Sequence, residues 1–167
     1  MLKIVGAKGN IQSVDKFLKK VDILAKEYDI LIQVFDAEVI YGKNHLISAV
    51  EHALRAMDRK TNATNSLAME ILLYASGERQ LKIAIPKMGI KKGKKNIAFV
   101  IIKESLSEKI VSDILNQLSL DREDKVLQGS IDTIKKFGIS EEEIDTVAKS
   151  KYGDLILEKV AMVDIIK

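Results

Sequence analysis

The chain has 167 residues, 47% hydrophobic and 31% charged, with a formal net charge of +3, which fits one domain with a single core under a strongly solvated surface. One proline, nine glycines and the lack of any stretch near about 20 uninterrupted apolar residues argue against a disordered chain, a long linker and a membrane span. With no cysteine, disulfides, thiolate nucleophiles and cysteine-ligated metals are excluded. Met1 to Gly9 carries charge early and has no signal-like apolar stretch, so a soluble, cytoplasmic protein is expected. Many Lys, Glu and Ile residues without Cys or Trp would suit an organism that lives hot.

In chain order, Leu2 to Ala7 reads as a short strand, left by way of Gly6 and Gly9. Ser13 is placed to cap a helix whose apolar residues Val14, Phe17, Leu18, Val21, Leu24 and Ala25 repeat with a period of 3.6. Ile30 to Phe35 is a β-branched apolar run and predicts a strand. Val39 to Tyr41 suggests another, stopped at Gly42. Lys43 to Lys60 is the clearest helix, with Leu46, Val50, Ala53, Leu54 and Met57 on one face and Ser48, His52, Arg55 and Arg59 on another.

Asn65 or Ser66 caps a third helix, apolar nearly all round through Leu67, Met69, Ile71, Leu72, Leu73 and Tyr74, which ends at Gly77. A further helix is expected over 78–88, with Leu81, Ala84, Ile85 and Met88 inward and Pro86 kinking or shortening it. Gly89 to Asn96 reads as a basic loop, and Ile97 to Ile102 as the strongest strand. Ser105 with Glu108, and Ser140 with Glu143, have capping-box spacing and predict helices near 107–118 and 141–149. A short helix near 130–136 lies between them, and Leu155 to Ile166 is read mainly as helix. Strand–helix alternations are too few for a doubly wound fold. The pattern predicts an α+β domain over residues 1–167, a small and largely antiparallel sheet packed with several helices.

Charge is unevenly distributed. Residues 1–103 carry 18 basic against 10 acidic side chains, and residues 104–167 carry 9 against 14. From Arg79 to Lys103 there are eight basic residues and no acidic one, a stretch suited to a polyanion. Arg79, Lys82, Lys91, Lys92, Lys94 and Lys95, with Arg55, Arg59 and Lys60 from the preceding helix, are the candidate nucleic-acid contacts, and Tyr74 is the candidate base-stacking ring. Such a cluster supplies affinity for phosphates without base specificity.

Catalytic chemistry finds little support. His45 and His52 are seven apart on one helix, where metal ligands want three or four, so His45 reads as a polar residue of the helix start. The run from Gly89 to Lys95 is one residue short of a phosphate loop, and Lys95 replaces the hydroxyl that would hold magnesium. Glu70, inside an apolar helix, reads as a carboxylate paired with Arg55 or Arg79, with a general acid or base as the alternative. Glu141, Glu142 and Glu143 suit the first turn of a helix. No catalytic residue, metal or cofactor is expected.

The segment Ile71-Leu72-Leu73-Tyr74-Ala75-Ser76-Gly77-Glu78-Arg79-Gln80-Leu81-Lys82-Ile83-Ala84-Ile85 resembles the LLYASGERQI…AI signature of a family: the kinase-binding subunit of the KEOPS tRNA-modification complex, here of the archaeal type. Its animal relative is called the PRPK-binding protein. Gly42, Lys43, His45, Leu46, Ala49, Val50 and Ala53 are similar to the family's preceding helix, Lys87 to Ile90 continue the match, and so does the segment from Glu158 through Val160 and Ala161 to Asp164. Pro86 and Leu81 depart from the pattern. The resemblance implies a non-catalytic α+β adaptor that binds the small lobe of the complex's atypical kinase. That kinase acts mainly as an ATPase. It also implies help in holding tRNA through its single-stranded 3′ CCA end for threonylcarbamoylation of adenosine.

Neither a membrane nor a small-molecule substrate is implied. The apolar helix at 66–75 and the apolar C-terminal segment make Leu67, Ile71, Leu72, Leu157, Val160 and Ala161 the candidate partner face. A free-standing RNA-binding module without a kinase partner, and a small enzyme using Glu70 or His45, are the alternatives. Arg79 and Gln80 carry a structural reading too, the one pairing a carboxylate and the other tying down a loop.

Overall fold

The computed structural model describes residues 1–167. Four strands, β1 (Leu2–Ile11), β2 (Leu31–Asp36), β3 (Gly93–Ile102) and β4 (Asp121–Arg122), form one sheet in the order β2-β3-β1-β4, antiparallel at every pairing. Eight helices surround it: α1 (Val14–Tyr28), α2 (Gly42–Arg59), α3 (Leu67–Ser76), α4 (Leu81–Met88), α5 (Glu108–Gln117), α6 (Ile131–Phe137), α7 (Glu141–Asp145) and α8 (Tyr152–Ile166). The architecture is α+β, as the sequence predicts. None of the helices is long and apolar enough to cross a membrane.

Strand alternation divides the core in two. Val5, Ala7, Ile32, Val34, Ile97, Phe99 and Ile101 face α1 and α5. Ile4, Phe35, Ala98 and Val100 face α2, α3, α4 and the helices of the last third of the chain. The second layer is the thicker one, and it carries the residues of functional interest.

Caps set several helix ends. Ser13 Oγ accepts from Lys16 N at 3.3 Å, Ser66 Oγ from Met69 N at 3.4 Å, and Ser140 Oγ from Glu143 N at 3.2 Å. Helix α5 is capped by Ser107 rather than Ser105, because Leu106 is first buried in the core and the chain turns into the helix after it.

Four further expectations are corrected. Strand β1 runs on to Ile11, through Gly6 and Gly9. A Cβ on Gly6 would lie 2.6 Å from Glu123 O, so this glycine permits close approach of the 123–126 turn rather than ending the strand. Residues 93–96 belong to β3, paired with residues 8–11 of β1, so the basic connection is confined to 89–92. Ala37–Val39 is a 3-10 turn, opened by Asp36 Oδ1 accepting from Glu38 N at 3.0 Å, and no strand forms at Val39 to Tyr41. Helix α4 starts only at Leu81 and ends two residues after Pro86, with Ala84 and Met88 buried but Ile85 exposed.

His45 joins the two helices that frame the site. It is buried. Its Nδ1 accepts from Tyr41 N at 3.1 Å, and its Nε2 lies 2.8 Å from Ala75 O in the last turn of α3, which assigns the proton to Nε2. Burial holds its pKa down at about 4, against an ordinary 6.5; the Ala75 carbonyl opposes the shift and Lys87 adds to it. Below pH 6.5 the unfolded chain takes up a proton at this position that the folded chain refuses. Stability therefore falls as pH falls from 6.5 toward 4 and levels off below. We expect about 2 kcal/mol to be lost between pH 7 and pH 5 from this residue alone. Urea unfolding at the two pH values should show that slope, and His45→Gln should flatten it.

Candidate functional site

The exit of α3 is a built turn. Gly77 takes φ +70°, a left-handed conformation that a side chain would strain. Ser76 Oγ donates to Leu73 O at 2.6 Å and accepts from Glu78 N at 3.0 Å. Lys87 Nζ donates to Ser76 O at 2.7 Å, pairs with Glu78 at 3.2 Å and lies 3.9 Å above the Phe137 ring. Burial pushes its pKa down, and Glu78 opposes that shift. These contacts deliver Arg79 and Gln80 to the surface, both exposed. Arg79, Gln80, Leu81 and Lys82 then form one wall of a cleft of about 420 Å³, facing Ala63 and Thr64, with Leu73 also in the lining.

The cations of this region lack acidic partners. No ion pair in the chain uses Arg55, Arg59, Lys60, Arg79, Lys82, Lys91, Lys92, Lys94 or Lys95. Arg79 therefore does not pair a carboxylate. Arg59 and Lys60 end α2 just before the loop that carries Ala63 and Thr64 to the cleft, and Arg55 lies one turn earlier. The lysine stretch sits elsewhere. Lys91 donates to Pro86 O and Gly89 O at the end of α4, in a different groove lined by α1, β2 and α3. Lys94 and Lys95 are strand residues opposite Asn10 and Gly9.

Glu70 has no exposed surface, and all four of its acceptor directions are filled. Oε1 accepts from Ala63 N at 3.1 Å and from Lys167 Nζ at 2.8 Å. Oε2 accepts from Thr64 N at 2.9 Å and from Thr64 Oγ1 at 2.8 Å. Burial alone would push this carboxyl up; Lys167, Ala63 and Thr64 together outweigh it and hold the group below the usual carboxylate range. The partner is thus Lys167, not Arg55 or Arg79.

The base-stacking role expected of Tyr74 is also corrected. Its ring is completely buried, stacked on His52 at 5.4 Å, with Lys167 Nζ 4.5 Å from its centroid, and its hydroxyl donates to Asp164. The residues missed by sequence reasoning are Ala63, Thr64 and Lys167. Lys167 lies 97 positions from Glu70, a pairing that no local pattern announces.

Helix α3 is buried from Glu70 to Ser76, so Ile71 and Leu72 are core residues, and Leu67 is half-buried at its start. On α8, Leu155, Ile156, Val160 and Val163 point inward, and Leu157 is half-buried. The expected partner face therefore loses Ile71, Leu72 and Val160. What remains open is the opposite side of α8: Ala161, Met162 at 41% exposed and Ile165 at 76% exposed. Spaced at i, i+1 and i+4, they form a single apolar ridge.

Breaking a buried pair leaves an uncompensated charge. Glu70→Gln removes the charge that Lys167 neutralises and turns an NH2 group toward donors. It should lower the unfolding free energy by about 3 kcal/mol, seen as a lower urea midpoint with an unchanged slope.

No curated protein sequence matches this chain. A family model described as kinase binding protein CGI-121 matches residues 9–164, a span that takes in the turn, the cleft and α8 as far as Asp164. The chain therefore belongs to the CGI-121 kinase-binding protein family.

Proposed function

We propose that this chain is a non-catalytic adaptor of an archaeal-type KEOPS complex. It grips the atypical kinase through the open side of α8 and holds the single-stranded 3′ end of tRNA in the Arg79 cleft. The observation that carries the RNA half is the cleft itself: Arg79 and Lys82, free of acidic partners, face a loop across a gap of about 420 Å³. A guanidinium and an ammonium so placed suit the phosphates of a single strand. The kinase half rests on the family and on an apolar ridge that no element of the chain covers.

Binding of tRNA with the 3′ CCA end intact or trimmed, across a salt series, tests the RNA half. Affinity should need the intact end and fall with salt at a log–log slope of about −0.7 per neutralised phosphate. Arg79→Glu with Lys82→Glu should weaken it on the order of tenfold or more. Equal, weak binding to both RNAs would reduce the cleft to a charged surface.

Reversing Lys91, Lys92, Lys94 and Lys95 together to Glu lies outside the cleft and should cost less RNA affinity than the double reversal at Arg79 and Lys82. If it costs more, the lysine stretch is the principal site. Ile165→Asp should abolish co-migration with the cognate kinase-like subunit and leave RNA binding intact, since the residue points away from the core. Undiminished co-migration would move the kinase face elsewhere.

A further inference from the structure

The last turn of α8 is fastened by two polar anchors that bracket its most exposed apolar residue. On one side of Ile165, Asp164 Oδ2 lies 2.8 Å from His52 Nδ1, and Asp164 Oδ1 accepts the Tyr74 hydroxyl. On the other side, Lys167 reaches inward to Glu70 at 2.8 Å, and only 6% of its side chain remains exposed. Glu70 is also the carboxylate that holds the backbone amides of Ala63 and Thr64. Those two residues are the wall of the cleft opposite Arg79 and Lys82. A short series of charge-assisted hydrogen bonds thus runs from Lys167, two residues past Ile165, through Glu70 to Ala63 and Thr64.

The pair resists partial opening. If Lys167 swings out, the buried Glu70 charge is left with two amides and one hydroxyl. Losing one partner of a buried pair is far more costly than losing a surface ion pair. If the loop moves instead, the buried Glu70 carboxylate keeps only Lys167 of its four donors. The position of the last α8 turn and the shape of the 61–66 loop are therefore tied.

We propose that Lys167 is a positioning residue of the cleft, and that through the Lys167–Glu70 pair occupancy of the cleft and occupancy of the α8 ridge are thermodynamically linked. The linkage rests on reading the cleft as an RNA site. Because the Lys167–Glu70 pair is shared by both sites, a ligand that orders the 61–66 loop is expected to steady the last turn of α8 even when no partner protein is present.

The test uses the full chain and a short single-stranded RNA ending in CCA. Amide hydrogen exchange is read residue by residue in the unsubstituted protein, Lys167→Met, Lys167→Arg and Arg79→Glu. RNA should slow exchange at Ala63 and Thr64 and also at residues 163–167. In the free protein, Lys167→Met should speed exchange at Ala63 and Thr64. It should also weaken RNA binding several-fold and abolish the response at residues 163–167. Lys167→Arg, which can re-form the pair, should restore all three.

Unchanged exchange at Ala63 and Thr64 in Lys167→Met would overturn the positioning role. Protection by RNA confined to the cleft would overturn the linkage. Arg79→Glu separates this from the RNA reading: if it binds RNA as tightly as the unsubstituted chain, the cleft is not the RNA site and the linkage falls with it. Exchange in the free protein still decides whether Lys167 holds the loop.

Discussion

A ten-residue helix with apolar side chains on every face has to be surrounded, and α3 is surrounded. Helices α2, α4 and α8 and strand β2 all pack against it, and most of the thicker core layer can be described as what is needed to cover it. The one strongly polar side chain in its interior, Glu70, then has no route to water. It must be satisfied from within, and the donors come from the loop before the helix and from the residue following α8. Burying α3 therefore dictates where the 61–66 loop sits and where α8 ends. The exit of α3 is governed by the same need. Its last carbonyls are capped by His45 and Lys87, and Gly77 turns the chain out to Arg79.

Local signals made much of this readable. The 3.6-residue stripes of α1 and α2, the serine caps at positions 13, 66 and 140, and the glycine stop at 77 are short-range physics, and they stand where the sequence puts them. The misreadings concern residues whose conformation is set from a distance. Lys94, Lys95 and Asn96 have weak strand propensity and look like loop, but pairing with β1 overrides propensity. Gly6 and Gly9 look like punctuation, yet each makes room for a segment more than a hundred residues later. Tyr74 looked available for stacking because its neighbours are basic. Its hydroxyl, however, finds Asp164 on α8 and the ring goes inside with it. Composition raised the suspicion that α3 and α8 could not both be covered. Only the packing shows that α8 is the one left open.

The charge asymmetry of the sequence acquires a structural meaning through the ion pairs. Several acidic residues beyond position 104 pair with bases of the same region or of β1: Glu108 with Lys3 and Arg122, Asp124 with Arg122, Glu141 with Lys135, Glu143 with Lys159. None of them reaches the cations between Arg55 and Lys82. Those cations keep full hydration and full Coulomb reach, the condition in which a basic patch attracts a polyanion and releases its counterions on contact. A surplus of base in one part of the sequence does not by itself make a patch. It becomes one here because the fold places no acidic side chain within ion-pair distance of these cations.

Side chains that could have supplied acid–base chemistry are instead engaged in holding α2, α3 and α8 together. His45 bridges Tyr41 and Ala75, His52 meets Asp164 beneath the ridge, and Glu70 is saturated by four donors. Each of these groups is within hydrogen-bond reach of a partner that fixes it, and His45 is held neutral well below physiological pH. His45 is thus the opposite of a group poised between its two states near neutrality. The same bonds give an adaptor what it needs. An exposed apolar ridge and an open cationic cleft are useful together only if the material between them transmits position rather than absorbing it. A small, fully satisfied network of buried polar contacts between two packed helices does that better than apolar side chains, which can slide to new contacts at little cost.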